Sequence, residues 1–223
     1  MNLFNNPFND EKYQAGEPPR PDELPEEIII SPDTRRADRI PPGQSRTRRW
    51  PVLDASGAPK IDLAKWRLEI FGAVDTVGSL SLEEFKHLPR VKVFSDFHCV
   101  TKWSRLGNLW EGVATRELAK MFGVHDEAKF VVLHAFDNAW TTNLPVEFFL
   151  AEDALLADTH DGKEISLEHG GPVRALVPQL YAWKSAKWIR GIEFVREDRA
   201  GYWEDGGYNM LGDPWREQRF RWD

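Results

Sequence analysis

The only cysteine of the chain, Cys99, lies in residues 97–103, which read Phe-His-Cys-Val-Thr-Lys-Trp. A lone cysteine cannot close a disulfide within the chain, so Cys99 is either a small packed residue or a thiolate that binds a metal or attacks a substrate. A zinc site built from Cys99 and His98 would take its other ligands from scattered positions. A Cys/His nucleophile needs a histidine close in space, and His98 would point to the opposite side of a strand. The local sequence leaves the choice open and by itself favours packing.

A second group of reactive residue types lies in residues 169–174, His-Gly-Gly-Pro-Val-Arg, and in residues 181–188, Tyr-Ala-Trp-Lys-Ser-Ala-Lys-Trp. Arg174, Lys184 and Lys187 place three cations on these two segments. The glycines allow close backbone approach, and a guanidinium offers the planar donor pair that suits a phosphate. The cluster therefore indicates a specific anion. The alternative is a solvated basic face above tryptophans that belong to the core.

Aromatic residues and glycines are concentrated in residues 201–210, which read Gly-Tyr-Trp-Glu-Asp-Gly-Gly-Tyr-Asn-Met. Such a segment could be no more than a packed loop. Tyr208, which follows two glycines, could also stand beside a site as a proton donor.

Composition excludes several classes of protein. With 29 Lys and Arg against 36 Asp and Glu, the net charge is −7, so the chain is not built to coat nucleic acid or an anionic membrane. One cysteine excludes a disulfide-stapled scaffold and an all-thiolate metal site. The sequence contains no apolar run of the roughly 20 residues that a membrane helix needs. Residues 1–7 do not resemble a signal peptide, so we expect a cytoplasmic protein.

The elements that must position these residues are short and mostly strands. Residues 1–45 are predicted to form an extended, proline-rich arm, docked through the isoleucines at 28–30, and residues 46–223 to form one α+β domain. Alternating or apolar runs predict strands over 66–72, 91–97, 129–136, 173–178 and 188–194. A capping box at Ser81 begins one helix. A second helix runs from Thr115 to a stop at Gly123, with Leu118, Met121 and Phe122 in the core, and residues 160–162 form a hairpin turn.

Taken together, the three reactive regions resemble the molybdopterin-binding domain of the sulfite oxidase family. The resemblance is to small bacterial members without a haem domain, and it implies the strand-rich α+β fold of that domain with short helices. Cys99 matches the cysteine whose thiolate joins the dithiolene sulfurs of the pterin on molybdenum. Tyr208 matches the active-site tyrosine beside the metal oxygens. By the same resemblance, the cofactor contacts would be Arg48, Arg49, His98, Cys99, Asp137, His169, Arg174, Lys184, Ser185 and Lys187.

The resemblance also implies an activity. We expect a molybdenum cofactor without haem, oxygen-atom transfer on a small sulfite- or sulfoxide-type substrate, and a separate electron donor or acceptor. The chain departs from the sulfite oxidases at residue 47, where threonine stands in place of a substrate-binding arginine, so the substrate is left open. Two alternatives remain: a non-enzymatic pterin-binding module, and a metal-free Cys/His hydrolase.

Overall fold

The computed structural model describes residues 18–136 and 139–223. Within them, short strands dominate and the helices have four to eight residues, as predicted for a strand-rich α+β fold. The strands are β1 Ile28–Ile30, β2 Ser45–Thr47, β3 Arg67–Gly72, β4 Gly78–Ser81, β5 Val91–Cys99, β6 Trp103–Ala114, β7 Phe130–Ala135, β8 Thr141–Pro145, β9 Leu155–His160, β10 Lys163–Glu164, β11 Arg174–Leu176 and β12 Ile189–Val195. The α-helices are α1 Leu82–Lys86, α2 Thr115–Phe122, α3 Val146–Phe149 and α4 Tyr202–Asp205.

The strands form two mixed sheets. The first has the order β1-β5-β6-β9-β10, with β2 paired to β6 and β11 paired to β9. The second has the order β4-β3-β12-β7-β8. In the first sheet, β5 runs antiparallel to β6 with Cys99 opposite Trp103. Cys99 is therefore the last residue of a central strand, at the point where the chain turns.

Strand β5 is buried on both faces from Val93 to Cys99, although its alternating sequence predicts a half-buried strand. The polar side chains of Ser95 and Asp96 have partners inside the protein, which explains the difference. The indole of Trp110 donates to the hydroxyl of Ser95 at 3.1 Å. Arg39 forms an ion pair of 2.6 Å with Asp96. The neighbouring strand β6 and Arg39, from before the central strands, thus supply partners for side chains that were expected to meet solvent.

The segment Ile28–Ile30 joins the first sheet as a parallel neighbour of β5. The hydroxyl of Ser31, the next residue, donates to the buried carboxylate of Asp153 at 2.6 Å. Hydrogen bonds as well as apolar contact therefore hold this part of the predicted arm. A boundary between arm and domain at residue 46 stays a prediction, and residues 1–17 lie outside the described part of the chain.

Two helix boundaries follow the local signals. In α1, Ser81 and Glu84 form the predicted capping box, with the amide of each bonded to the side chain of the other. Helix α2 ends at Gly123, whose φ of +65° is the left-handed conformation that glycine adopts without strain. The predicted core role of Met121 is wrong. Its side chain is 49% exposed, because α2 turns Leu118 and Phe122 inward.

The hairpin between β9 and β10 is also as predicted, with Asp161 and Gly162 both at positive φ. Strand β7 is buried on both faces, since Val131, Val132 and Leu133 are at most 1% exposed. Within the described ranges, no helix is long and apolar enough to cross a bilayer.

Candidate active site

A cavity of about 180 Å³ opens beside the end of β5. It gathers side chains that lie far apart in the sequence, from the turn after β5, from β11 and its flanking loops, and from the segment after α4. The predicted site residues that line it are Cys99, His169, Arg174, Ser185, Lys187 and Tyr208.

The Cys99 thiol is buried, and the hydroxyl of Thr101 donates to its sulfur at 3.2 Å. Burial raises the pKa of Cys99, while the hydrogen bond from Thr101 and the charge of Lys187 act in the opposite direction. His98 does not serve as a base for this thiol, because its Nδ1 lies 2.8 Å from the hydroxyl of Ser104. A neutral thiol without a neighbouring base is a poor nucleophile, which disfavours the hydrolase alternative.

Arg174 presents a buried cation at the cavity. Its side chain donates to the carbonyl oxygens of His169 at 2.7 Å and Ser185 at 2.9 Å. Burial lowers its pKa to about 9. Within residues 18–136 and 139–223, no carboxylate lies within ion-pair distance of this guanidinium. A buried guanidinium whose hydrogen bonds all go to carbonyl oxygens leaves donors and charge for an anion, which is what a phosphate ester supplies.

Lys187 and His169 complete the basic side of the cavity. Lys187 Nζ donates to the Glu168 carbonyl at 2.8 Å and lies 3.7 Å from the carboxylate of Asp54. Gly170, at a φ of +106°, lets this chain approach, since a Cβ there would come within 2.9 Å of Lys187. His169 Nε2 lies 3.1 Å from the carbonyl of Trp50, an acceptor, so Nε2 carries the proton. Burial lowers the pKa of His169, which favours its neutral form.

Tyr208 closes the opposite wall. Its ring stacks on Trp203 with centroids 5.2 Å apart and meets the edge of Trp183 at 5.1 Å. Burial raises the pKa of its phenol, and the negative charge of an ionised Cys99 raises it further. Tyr208 is therefore a neutral hydrogen-bond donor close to Cys99.

Several predicted site residues lie elsewhere. His98 and Lys184 are fully buried behind the cavity wall. Arg48 is exposed and lines a second cavity of about 360 Å³, which shares Trp50 and His169 with the first. Arg49 is exposed and lines neither cavity. Asp137 falls outside the described residues. His98, Lys184 and Arg49 therefore do not line the first cavity.

Six tryptophans also line the cavity, although none of them was a predicted site residue. They are Trp50, Trp103, Trp140, Trp183, Trp188 and Trp203. The high tryptophan content, 10 in 223 residues, was the available signal. The buried Nε1 of Trp103 has no hydrogen-bond partner in the described structure. Such an unsatisfied donor at a cavity wall fits a polar ligand.

Comparison with known proteins decides the family. The protein-family model of the oxidoreductase molybdopterin-binding domain matches residues 55–203, which is most of the chain. The chain belongs to this family.

Two relatives agree with family membership, and one solved structure shares the fold. The chain is 50% identical over 194 residues to the oxidoreductase YuiH of Bacillus subtilis, covering 85% of this chain and 98% of that protein. It is 28% identical over 163 residues to the protein-methionine-sulfoxide reductase catalytic subunit MsrP of Campylobacter jejuni, covering 66% of this chain. The sulfane dehydrogenase SoxCD of Paracoccus pantotrophus superposes with a TM-score of 0.58 at 22% identity, covering 63% of this chain and 41% of that one, and shows the fold.

The chain spans only 54% of the MsrP sequence, whereas it spans nearly all of YuiH. The family implies an enzyme with a molybdenum cofactor, and the cavity fits that group. Cys99 offers one soft sulfur ligand of the type that molybdenum accepts. Arg174, Ser185 and Lys187 offer the cations and hydroxyl that a phosphate ester needs. In the described ranges no group of three His, Cys, Asp or Glu side chains could hold a metal by itself, so a zinc site at Cys99 and His98 lacks its further ligands.

A pH dependence follows from His160, a buried neighbour of this site. Burial lowers its pKa well below the usual value, and the charges of Arg105 and Arg174 act in the same direction. Below about pH 6.5 the unfolded chain binds a proton at this position that the folded protein does not bind. The free energy of unfolding should therefore fall as the pH drops below that value.

The substitution His160→Gln should flatten this slope by up to about 1.4 kcal/mol per pH unit. Urea unfolding at a series of pH values between about 5 and 7 measures the effect. His87→Gln, at an exposed position, is the control. Equal slopes in wild type and His160→Gln would contradict the prediction.

Proposed function

We propose that this molybdopterin-dependent oxidoreductase reduces the sulfoxide group of a small or side-chain substrate such as methionine sulfoxide. The observation that carries the proposal is the convergence of Cys99, Tyr208 and the cations Arg174 and Lys187 on one cavity. The relatives named as methionine sulfoxide reductases support this substrate class. Because this chain spans only part of their length, the substrate is a proposal.

Cys99 holds the metal through its sulfur, and the cofactor when bound supplies two-electron oxygen-atom chemistry at this end of the cavity. Arg174 and Lys187 bind the phosphate of the cofactor, with the hydroxyl of Ser185 beside them. Ser185 is itself oriented, because its Oγ accepts from the Val177 amide at 2.9 Å. His169, held by the carbonyl of Trp50, keeps its neutral form next to these cations.

Tyr208 assists the protonation of the substrate oxygen. Reduction of a sulfoxide to a sulfide consumes two electrons and two protons and releases water. The neutral phenol of Tyr208 donates a hydrogen bond to the oxygen that leaves sulfur. Its raised pKa keeps the proton on Oη at neutral pH, so the donor is present throughout the working range.

The walls favour an uncharged substrate that carries apolar groups over the anion sulfite. Six tryptophans line the cavity and offer apolar surface for the groups on either side of a sulfoxide sulfur. Thr47 stands at the position of the substrate-binding arginine of sulfite oxidases, and it lines the second cavity. An anionic substrate would therefore lack a guanidinium from this segment at the Cys99 cavity.

The electron donor is proposed to be a separate redox protein, because the reduction of a sulfoxide consumes two electrons that the substrate does not supply. The cytoplasmic location and the absence of nucleic-acid and membrane partners stay predictions. The protein would then depend on a partner for each catalytic cycle.

A dye-coupled assay tests the proposed function. Protein made in a host that synthesises the cofactor should oxidise reduced viologen with methionine sulfoxide at least about tenfold faster than it oxidises sulfite with ferricyanide, a difference of about 1.4 kcal/mol in barrier. The reverse ratio would replace the sulfoxide proposal by sulfite oxidation. Molybdenum content without turnover of either would favour the pterin-binding module. Absence of metal with labelling of Cys99 by a thiol-reactive ester would favour the hydrolase.

A further inference from the structure

Lys184 is fully buried and forms an ion pair that the cavity does not use directly. Its Nζ lies 2.5 Å from Oε1 of Glu204, whose side chain is also fully buried. It donates in addition to the carbonyl oxygens of Asn143 at 2.8 Å and Met210 at 2.6 Å. Replacing a buried ion pair by apolar residues is often neutral or stabilising. Stability alone therefore gives no reason for this pair.

Glu204 connects the pair to the wall of the cavity. The same oxygen, Oε1, accepts from the indole of Trp183 at 2.9 Å and from the hydroxyl of Thr142 at 2.8 Å. Trp183 lines the cavity, and so does Trp203, the residue before Glu204 in α4. One carboxylate oxygen thus fixes the orientation of Trp183 and the position of the helix that carries Trp203.

Tyr208 lies between these two tryptophans. Trp203 stacks on its ring at an interplanar angle of 20°, and Trp183 meets it at 78°. The amide of Tyr208 donates to the carbonyl of Trp203 at 3.0 Å. Lys184 holds the chain two residues further on, at Met210. The contacts of Tyr208 with Trp183 and Trp203 are therefore tied to Glu204, and the chain at Met210 is tied to Lys184. Phe220 also meets the ring of Tyr208 edge-on, with centroids 5.7 Å apart, and is independent of the ion pair.

We propose that Glu204 and Lys184 are positioning residues that hold the Tyr208 phenol at the cavity. The inference rests on the proposed function of Tyr208 as the donor to the substrate oxygen. The pair acts through Trp183, Trp203 and the Met210 carbonyl and touches neither substrate nor cofactor. The charge is required because one oxygen accepts three donors, and hydrogen bonds to a charged acceptor are about twice as strong as neutral ones.

The test uses the loaded protein and the neutral double variant Lys184→Met with Glu204→Gln. Removing both charges avoids an unpaired buried ion, so the variant is expected to fold. Its kcat for methionine sulfoxide should fall by about tenfold or more, since displacement of a reacting group by about 1 Å can lower the rate about 100-fold. KM should change less than about twofold, because the walls that hold the substrate remain.

A double-mutant comparison separates positioning from general destabilisation. In a Tyr208→Phe background, the same double variant should lower kcat less than about twofold, because the group that it positions is already absent. Multiplicative effects of the two changes would overturn the inference. So would an unchanged kcat in the double variant.

Asp158→Asn is the matched control, because Asp158 is a nearly buried carboxylate paired with Arg90 and contacts neither Trp183 nor Tyr208. Hydrogen exchange gives a readout independent of turnover. Amides of residues 207–212 should exchange faster in the double variant than in Asp158→Asn. Equal exchange would overturn the positioning role. If the wild type bound no molybdenum or showed no turnover, the proposed function would be overturned instead. The hydrogen-exchange comparison would still decide whether the ion pair holds residues 207–212.

Discussion

Cys99→Ser is expected to abolish turnover and to weaken the retention of molybdenum, which would then be held only through the pterin. A serine hydroxyl is a harder ligand than a thiol and ionises at far higher pH, so it does not replace a thiolate on molybdenum. Mutation of a residue that only orients a metal ligand lowers metal affinity or activity about 10–100-fold. Mutation of the ligand itself should lower them by more than that. Metal analysis after gel filtration and the viologen assay measure the two effects.

The substitution is close to isosteric, so the fold should remain. The hydroxyl of Thr101 that donates to the sulfur can donate to a serine oxygen as well. Cys99→Ala provides the comparison, because it removes the ligand atom altogether and should give the same loss of metal. Turnover in Cys99→Ser within a few-fold of wild type would contradict the role of this residue as the metal ligand.

Arg174→Met is expected to weaken retention of the cofactor while leaving Cys99 in place. Three of the five N–H donors of Arg174 point to the backbone carbonyls of Ala175, His169 and Ser185. Two more charge-assisted hydrogen bonds to a phosphate, at about 1.5 kcal/mol each, amount to about 3 kcal/mol, or roughly 100-fold in affinity. The half-life of bound molybdenum during dialysis measures the loss.

Lys187→Met is the graded comparison. Lys187 is only partly buried and shares its charge with Asp54, so its loss should weaken retention less than the loss of Arg174. Inorganic phosphate should also raise the melting temperature of cofactor-free wild type more than that of cofactor-free Arg174→Met. Equal retention in Arg174→Met and wild type would show that the phosphate lies elsewhere.

The fold was predictable where local chemistry determines the structure. The capping box at Ser81, the left-handed stop at Gly123 and the hairpin at Asp161 depend on residues close together in the sequence, and all three are present. The burial of both faces of β5 and the exposure of Met121 were not predictable. They depend on which distant segments pack against an element, and hydrophobic periodicity does not carry that information.

The candidate site divides in the same way. The resemblance to the sulfite oxidase family selected Cys99, His169, Arg174 and Lys187, and the fold brings them to one cavity. Their individual roles stay predictions. Lys184 has the same residue type as Lys187 and lies three positions away, yet it faces a buried glutamate. Only the tertiary structure shows that Lys187 lines the cavity, whereas Lys184 is buried in the wall behind it.

The central claim is that Cys99 is a sulfur ligand of molybdenum, and X-ray absorption at the molybdenum edge tests it most directly. The loaded wild type should show one more sulfur ligand on the metal than whatever molybdenum remains in Cys99→Ser. The wild type should also contain about one molybdenum per chain, since one thiolate ligand holds one metal. Equal sulfur counts in the two proteins, or a wild type without molybdenum, would contradict the account.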